Sequence, residues 1–177
     1  VVNQGYNRGL LPWIPLFGGV TPMQNLNAYS FRSAYSPAFL MGWPMAGVPD
    51  VKERWAKMDL NLLRNLLNEY LAIRPYLFGD FYPFTDYSLD QTLWAAWQFD
   101  RPDLGQGMVQ AFRRSESPDE SLRVRLYGLE MDAVYNLSGM DDPDSAAMTG
   151  RELMENGLLI QTKERPGSIL VIYKKNP

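Results

Sequence analysis

The sequence predicts an α/β segment over residues 1–78, followed by an all-β domain over residues 79–177. Three observations support this fold class. Two apolar runs flank a short helical stretch, a long amphipathic helix follows them, and short alternating segments separated by Gly, Pro and Asp turns fill the rest of the chain. The pattern changes near Gly79, where we place the domain boundary.

The pattern of the first segment predicts a strand, a helix and a second strand. Residues 10–17 (LLPWIPLF) form an apolar run closed by two glycines, which is typical of a strand buried on both faces. Residues 29–35 predict a short helix that ends before a proline. Residues 38–43 (AFLMGW) predict the second strand. This order indicates parallel β-α-β architecture.

A long helix is predicted from about residue 50 or 51 to residue 73. Its apolar side chains recur at three- and four-residue steps, as on the buried face of a helix: Trp55, Met58, Leu62, Leu66 and Tyr70. Asp50 is the expected N-cap, with Glu53 three residues later as in a capping box. Arg74 and Pro75 are expected to end the helix.

The second segment predicts an antiparallel β-sandwich, because many short strands are separated by turn residues. In residues 93–99, alternation places Trp97 and Trp94 on opposite faces. A short helix over residues 150–155 is expected to begin at a capping box formed by Thr149 and Glu152. The predicted strands cover residues 93–99, 108–112, 121–126, 134–137, 158–162 and 169–173.

Composition excludes several classes of function. With 17 Lys and Arg against 20 Asp and Glu, the net charge is −3, and no concentrated basic face indicates nucleic-acid binding. The chain has no cysteine and no histidine, so it offers no thiolate nucleophile, no Ser-His-Asp triad and no histidine-ligated metal. No apolar run approaches the roughly 20 residues of a membrane span, so we expect no membrane partner.

Several stretches resemble, in their order and spacing, one family of carbohydrate-active enzymes. They are PWIPLFG (12–18), YSFRSAYSP (29–37), IRPYLFGDFYP (73–83), WAAWQFDRPDLGQGMVQAFRRSESP (94–118) and TGRELMENGL (149–158). Together they resemble the C-terminal part of glycoside hydrolase family 36 and its clan relatives, the α-galactosidase (melibiase) group. The resemblance implies the last two βα units of a (β/α)8 barrel followed by a C-terminal β-sandwich.

The resemblance also implies a retaining hydrolase of α-linked galactosides that works with two aspartates and without a cofactor or metal. Those aspartates lie at the ends of the fourth and sixth barrel strands, roughly 5 to 5.5 Å apart in a retaining enzyme. Both would precede Val1, and no Asp or Glu occurs before Asp50. The resemblance therefore brings no catalytic residue to this chain, which we expect to be inactive alone.

Three residues are candidates for substrate binding by the resemblance: Trp43, Arg32 and Tyr29. In a (β/α)8 barrel, functional side chains lie in the loops after the strands, here residues 17–19 and 43–44, and Trp43 lies in the second loop. Tyr29 and Arg32 of the YSFRS segment could also reach substrate. Trp43 and Arg32 have a structural interpretation as well. Trp43 can pack against the barrel rim, and Arg32 can pair with a carboxylate that fixes its loop.

Other acidic residues favour structural roles. Asp80, Asp86, Asp90 and Asp100 lie in turn-like contexts, where aspartate accepts hydrogen bonds from nearby amides. The DDPD run at residues 141–144 could bind calcium, but it lacks the alternating ligands of a recognised calcium loop. A solvated acidic turn is the favoured interpretation.

Two further hypotheses belong to other functional classes. The β-domain could be a non-catalytic carbohydrate-binding module. Its aromatic residues suggest this hypothesis: Trp94, Trp97, Tyr82, Tyr87 and Phe84. It could also be a purely structural domain. Because two βα units cannot close a barrel, their apolar surface must be buried by the β-sandwich folding back, by a second copy of the chain or by the remainder of the catalytic barrel. We expect association through residues 1–75. Carbohydrate, an α-galactoside, would be the ligand of the parent enzyme.

Overall fold

The computed structural model describes residues 1–14, 16–22, 26–42, 53, 56–141 and 145–177. The helices are α1 (Val2–Leu10), α2 (Ala28–Ser33), α3 (Leu60–Ile73) and α4 (Gly150–Glu155), with 3-10 turns at Arg74–Phe78 and Pro102–Leu104. The strands are β1 (Val20–Pro22), β2 (Leu40–Gly42), β3 (Asp80–Pro83), β4 (Ala95–Arg101), β5 (Gln106–Arg113), β6 (Ser121–Val124), β7 (Val134–Gly139), β8 (Ser145–Thr149), β9 (Leu158–Gln161) and β10 (Gly167–Lys175).

The strand predicted over residues 10–17 is wrong. Leu10 ends α1, and its carbonyl accepts hydrogen bonds from the amides of Trp13 and Ile14 at 2.9 and 2.7 Å, which makes a turn. Trp13 is 83% exposed, so the apolar run does not mark a buried strand. Helix α1 buries the polar side chains of Gln4 and Asn7 instead, and apolar periodicity cannot detect such a helix.

A parallel strand–helix–strand unit is nevertheless present, with its first strand at β1. Val20 and Thr21 pair in parallel with Leu40 and Met41 of β2. Helix α2 connects the two strands and begins at Asn27, whose side chain accepts a hydrogen bond from the Ser30 amide. The helix predicted over residues 29–35 and the strand predicted over residues 38–43 are thus found with shifted ends.

The long helix is shorter than its apolar pattern predicts. It begins at Leu60, where the Asp59 side chain accepts hydrogen bonds from the amides of Asn61 and Leu62 at 3.0 and 2.9 Å. Residues 57–59 are not helical, so the predicted uninterrupted helix is wrong. The expected cap Asp50 lies outside the described residues. The predicted end at residue 73 is correct.

The β-domain is built on a six-stranded antiparallel sheet in the order β3-β4-β5-β10-β7-β8. A second, two-stranded sheet pairs β6 with β9. Trp94 and Ala96, on one face of the large sheet, share a core with Val124 and Ile160 of the small sheet and Leu153 of α4. We call this the sandwich core. The predicted antiparallel arrangement is confirmed, whereas β3 and β8 were not predicted.

The other face of the large sheet packs against the helices of the first segment. Trp97 and Phe112 of the sheet contact a cluster that includes Phe31, Tyr35 and Leu66. We call this the helix-side core. The apolar stripe of α3 therefore packs into a core formed by the chain's own residues, and residues 1–78 and 79–177 share this core. Among the described residues, no helix is long and apolar enough to span a bilayer.

Candidate functional site

The structure places two of the three predicted substrate-binding residues beside one cleft. Tyr29 and Arg32 lie one turn apart on α2 and line a cavity of about 410 Å³ against the first residues of β10. Asp141 and Glu164 add carboxylates to its wall, and Ser168 adds a hydroxyl. The third predicted residue, Trp43, lies outside the described residues. Whether this cleft binds substrate stays a prediction.

Arg32 is held by two carboxylates at the base of this cleft. Its side chain is 4% exposed, and Nε and Nη2 donate to both oxygens of Glu69 at 2.7 and 2.6 Å. Nη1 and Nη2 donate to both oxygens of Asp141 at 2.6 Å, and Nη1 also donates to the Ser168 carbonyl at 3.0 Å. Burial alone would lower the pKa of Arg32, but these hydrogen bonds raise it above its ordinary value.

This arrangement saturates the five N–H groups of the guanidinium. A ligand could bond to Arg32 only by displacing Asp141 or Glu69, so the direct effect of Arg32 on the cleft is to orient the Asp141 carboxylate. Tyr35 completes the cluster by donating its hydroxyl to Glu69 and to the Leu66 carbonyl, both at 3.0 Å. Burial and the neighbouring Glu69 raise the pKa of Tyr35.

Tyr29 is fixed by neutral contacts. Its hydroxyl accepts a hydrogen bond from Gln4 Nε2 at 2.9 Å, and its ring meets Phe112 edge-on with the centroids 5.9 Å apart. Burial raises the pKa of Tyr29. Gln4 also donates to Ser33 and accepts from the Arg114 Nε at 3.1 Å, so this buried amide joins α1 and α2 to the end of β5.

Arg114 is a second buried cation that the sequence did not single out. It donates to the carbonyls of Asp90 and Ser88 at 2.7 and 2.8 Å, in addition to the bond with Gln4. No carboxylate of the described residues lies within ion-pair distance of it. Because no such ion pair offsets the loss of solvation, burial lowers the pKa of Arg114. Uncharged acceptors therefore fix the loop around residues 88–90.

The aspartates that were expected to lie in turns do not behave alike. Asp90 is a turn residue, because its carboxylate accepts hydrogen bonds from the Thr92 amide and hydroxyl, which lower the pKa of Asp90. Asp80 and Asp100 are instead register partners in β3 and β4, so the turn interpretation is wrong for both. Asp100 is 3% exposed, and burial raises the pKa of its carboxyl.

The acidic run at residues 141–144 is only partly visible. Asp141 pairs with Arg32, whereas residues 142–144 lie outside the described part of the chain. Within the described residues, no group of three or more His, Cys, Asp or Glu side chains is arranged to hold a metal ion.

Comparison with known protein families gives one match. Residues 94–172 match the description "Glycosyl hydrolase family 36 C-terminal domain", over the part of the chain that forms most of the sandwich. Residues 94–172 are thus similar to the C-terminal domain of this family. The resemblance noted in the sequence is thereby confirmed. None of the curated proteins matches the sequence at a significant level.

Solved structures of family 36 α-galactosidases share the fold. AgaB from Geobacillus stearothermophilus superposes with a TM-score of 0.64 at 21% identity over 92% of this chain and 22% of its own. AgaA from the same organism gives 0.61 at 21% identity over 83% of this chain and 19% of its own. The α-galactosidase from Lactobacillus brevis gives 0.60 at 16% identity, with 84% and 20% covered. The chain thus spans about a fifth of these enzymes.

Proposed function

We propose that this chain is the C-terminal segment of an α-galactosidase-like, retaining glycoside hydrolase and does not catalyse hydrolysis alone. Residues 1–78 would be the last two βα units of its (β/α)8 barrel, and residues 79–177 the β-sandwich that supports the barrel. One observation carries the proposal: the parallel β1–α2–β2 unit shares the helix-side core with a family 36 C-terminal domain. The similarity to solved α-galactosidases extends over 83 to 92% of the chain, well beyond residues 94–172.

The exposed surface of the first segment also supports the proposal. Trp13, Leu16, Leu40 and Met41 are large apolar side chains open to solvent, and the last two belong to a two-stranded parallel sheet. Parallel strands are normally covered on both faces and flanked by further strands. The remainder of a barrel would supply both the neighbouring strands and the cover. A second copy of the chain is the alternative partner through residues 1–75.

The distribution of acidic residues supports inactivity of the isolated chain. No Asp or Glu precedes Asp50, so the barrel-like part has no carboxylate in or before β2, and its first ones lie between β2 and α3. Glu69 of α3, which is 11% exposed, is committed to Arg32 and Tyr35. Retaining hydrolysis needs two carboxylates facing one glycosidic bond. We place both in the part of the barrel that precedes this segment.

The ligands of the solved relatives suggest a substrate class for the whole protein. Variants of AgaA from G. stearothermophilus are described in complex with raffinose and with stachyose. We propose an α-galactoside as the substrate of the whole protein. The Arg32 cleft would then lie on the sandwich side of the barrel, where its ion cluster holds the two halves together.

The test compares the 177-residue chain with a longer protein that joins it to the barrel encoded upstream. Hydrolysis of an aryl α-galactoside is measured for both, and NMR identifies the anomer released first. We expect no turnover from the short chain, and turnover with release of the α-anomer from the long one. Turnover by the short chain that a single substitution in it abolishes would refute the proposal.

A further inference from the structure

One edge of the sandwich carries a group of aromatic rings away from the Arg32 cleft. Tyr82 and Phe84, at the edge strand β3, lie close to Tyr127, which follows β6. The ring of Tyr127 is 5.4 Å from that of Tyr82 and 6.2 Å from that of Phe84, and both interplanar angles are 20°. Tyr127 is 49% exposed. We call these three side chains the tyrosine platform.

The platform is anchored from inside the sheet. Gln98 of β4 is fully buried and makes two hydrogen bonds to the backbone of Tyr127. Its Nε2 donates to the Tyr127 carbonyl at 2.8 Å, and its Oε1 accepts from the Tyr127 amide at 2.9 Å. Gln98 Nε2 also donates to the Tyr173 hydroxyl at 2.7 Å. The backbone that carries the half-exposed Tyr127 ring is thereby fixed against β4. This limits the conformational entropy that the protein would lose when a ligand binds.

Two polar atoms beside the platform, one of them on the nearly buried Asp100, have no hydrogen-bond partner among the described residues. The Tyr173 hydroxyl donates to Asp100 Oδ1 at 2.6 Å, but Oδ2 accepts no hydrogen bond from the described residues. The Tyr82 hydroxyl likewise has no hydrogen-bond partner among them. Gly128 separates the two groups: a Cβ there would lie 3.0 Å from Asp100 Oδ2 and 3.6 Å from the Tyr82 oxygen. Because residue 128 is glycine, no side chain of that residue covers Asp100 Oδ2 or the Tyr82 hydroxyl.

We propose that the tyrosine platform and Asp100 form a non-catalytic saccharide-binding site on the sandwich. A pyranose presents an apolar face of C–H groups that suits a tyrosine ring, and hydroxyls at its rim that can donate to a carboxylate. Tyr127 would carry the sugar ring, while Asp100 Oδ2 and the Tyr82 hydroxyl would bond to its hydroxyls. The ligand class, a neutral glycoside, rests on the proposed function.

The ring geometry favours a sugar over a cation. Recognition of an ammonium group by aromatic side chains uses rings that surround the charge as a cage. Here the rings of Tyr82 and Phe84 lie nearly parallel to the ring of Tyr127, so the three rings are not the mutually inclined walls of a cage. Trp94 and Trp97, which first suggested sugar binding, are both buried and take no part.

The test follows NMR shift changes of the intact 177-residue chain on titration with raffinose. Sorbitol, a polyol without a pyranose ring, and tetramethylammonium serve as comparison ligands. We expect saturable shifts at residues 82, 127 and 128 with raffinose alone. Tyr127→Ala and Asp100→Asn should each weaken binding about tenfold, the change that corresponds to one lost contact of this kind. Tyr127→Phe should retain it.

Tyr87→Ala is the matched control, because Tyr87 is an exposed tyrosine that lies outside the platform. It should bind raffinose as the unchanged chain does. Absence of saturable shifts, equal shifts with sorbitol, preferential binding of tetramethylammonium, or unchanged affinity of Tyr127→Ala would each overturn the proposal. Galactoside hydrolysis does not enter this readout, so its result is separate from that of the proposed function.

Discussion

Arg32 and Asp141 lie 109 residues apart in the sequence and form a bidentate ion pair in which both contacts measure 2.6 Å. The arginine belongs to α2 of the first segment, and the aspartate follows β7 of the sandwich. Glu69 of α3 holds the same guanidinium from the other side. Asp141 is 62% exposed, so the pair runs from a buried cation to the surface of the cleft. This cluster joins three elements from both halves of the chain.

We expect Arg32→Gln to lower the free energy of unfolding by about 3 to 5 kcal/mol, the usual loss when one member of a buried ion pair is removed. The substitution leaves the nearly buried Glu69 carboxylate without its cation. Urea unfolding of the 177-residue chain measures the loss. Arg151→Gln is the control, because the ion pairs of Arg151 are exposed, and we expect it to leave the free energy of unfolding nearly unchanged. Equal losses in the two variants would contradict this account.

Asp100 predicts a pH dependence of stability. Burial raises the pKa of its carboxyl in the folded protein, so the folded chain holds this proton more tightly than the unfolded chain. The contribution of Asp100 is therefore fully present below its unfolded pKa and is lost as the pH rises through its folded pKa. Asp100→Asn keeps an acceptor for Tyr173 and removes the buried charge.

We expect Asp100→Asn to unfold at a higher urea concentration than the unchanged chain at pH 7, and the difference to vanish as the pH falls below the unfolded pKa. Urea melts across this range give the comparison. Asp90→Asn is a useful contrast, because hydrogen bonds from Thr92 lower the pKa of that carboxyl and the sign reverses. If Asp100→Asn were less stable at pH 7, burial would not be the dominant influence on this group.

The sequence predicted the features that depend on neighbouring residues. The capping box of Thr149 and Glu152 forms as expected, with the Thr149 amide donating to Glu152 at 2.8 Å. Alternation correctly placed Trp94 and Trp97 on opposite faces of β4. The expected pairing of Arg32 with a carboxylate is confirmed, but helix α1 and the partners of Arg32 could not be predicted in the same way. The helix depends on the polar contacts of Gln4 with α2, and the cluster joins distant segments.

The acidic residues show a second reason for failure. Asp100 stands in the sequence FDRPD, whose composition is typical of a turn, yet it is buried in β4 beside Tyr173. Turn propensity is a local preference, and pairing with β3 and β5 overrides it. The availability of Asp100 Oδ2 depends in turn on Gly128, which lies 28 positions later in the chain. No pattern in the sequence relates these two residues.

The fragment 79–177 should fold but lose stability. It keeps the sandwich core, which the two sheets and α4 form among themselves. It loses the helices that cover Trp97, Phe99 and Phe112, so these rings become exposed. We expect a cooperative urea transition at a lower midpoint than that of the whole chain, together with binding of an apolar dye. A transition as stable as that of the whole chain would show that the helix-side core contributes little.

Association should occur through the exposed apolar surface of the first segment. Leu16 and Leu40 are open to solvent, and Leu40 belongs to a two-stranded parallel sheet whose edges have no further strand among the described residues. Soluble monomers seldom expose contiguous apolar surface above a few hundred Å², about the size of the largest patch on a typical monomer. We therefore expect sedimentation of the isolated chain to give a mass above the monomer that rises with concentration.

The double variant Leu16→Ser/Leu40→Thr should shift the mass toward the monomer, because it removes apolar side chains from this surface. Leu159→Thr, which removes an exposed leucine from β9 of the sandwich, should leave the mass unchanged. If the unchanged chain were monomeric at all concentrations, the first segment would be complete without a partner, and the barrel proposal would lose its main physical support.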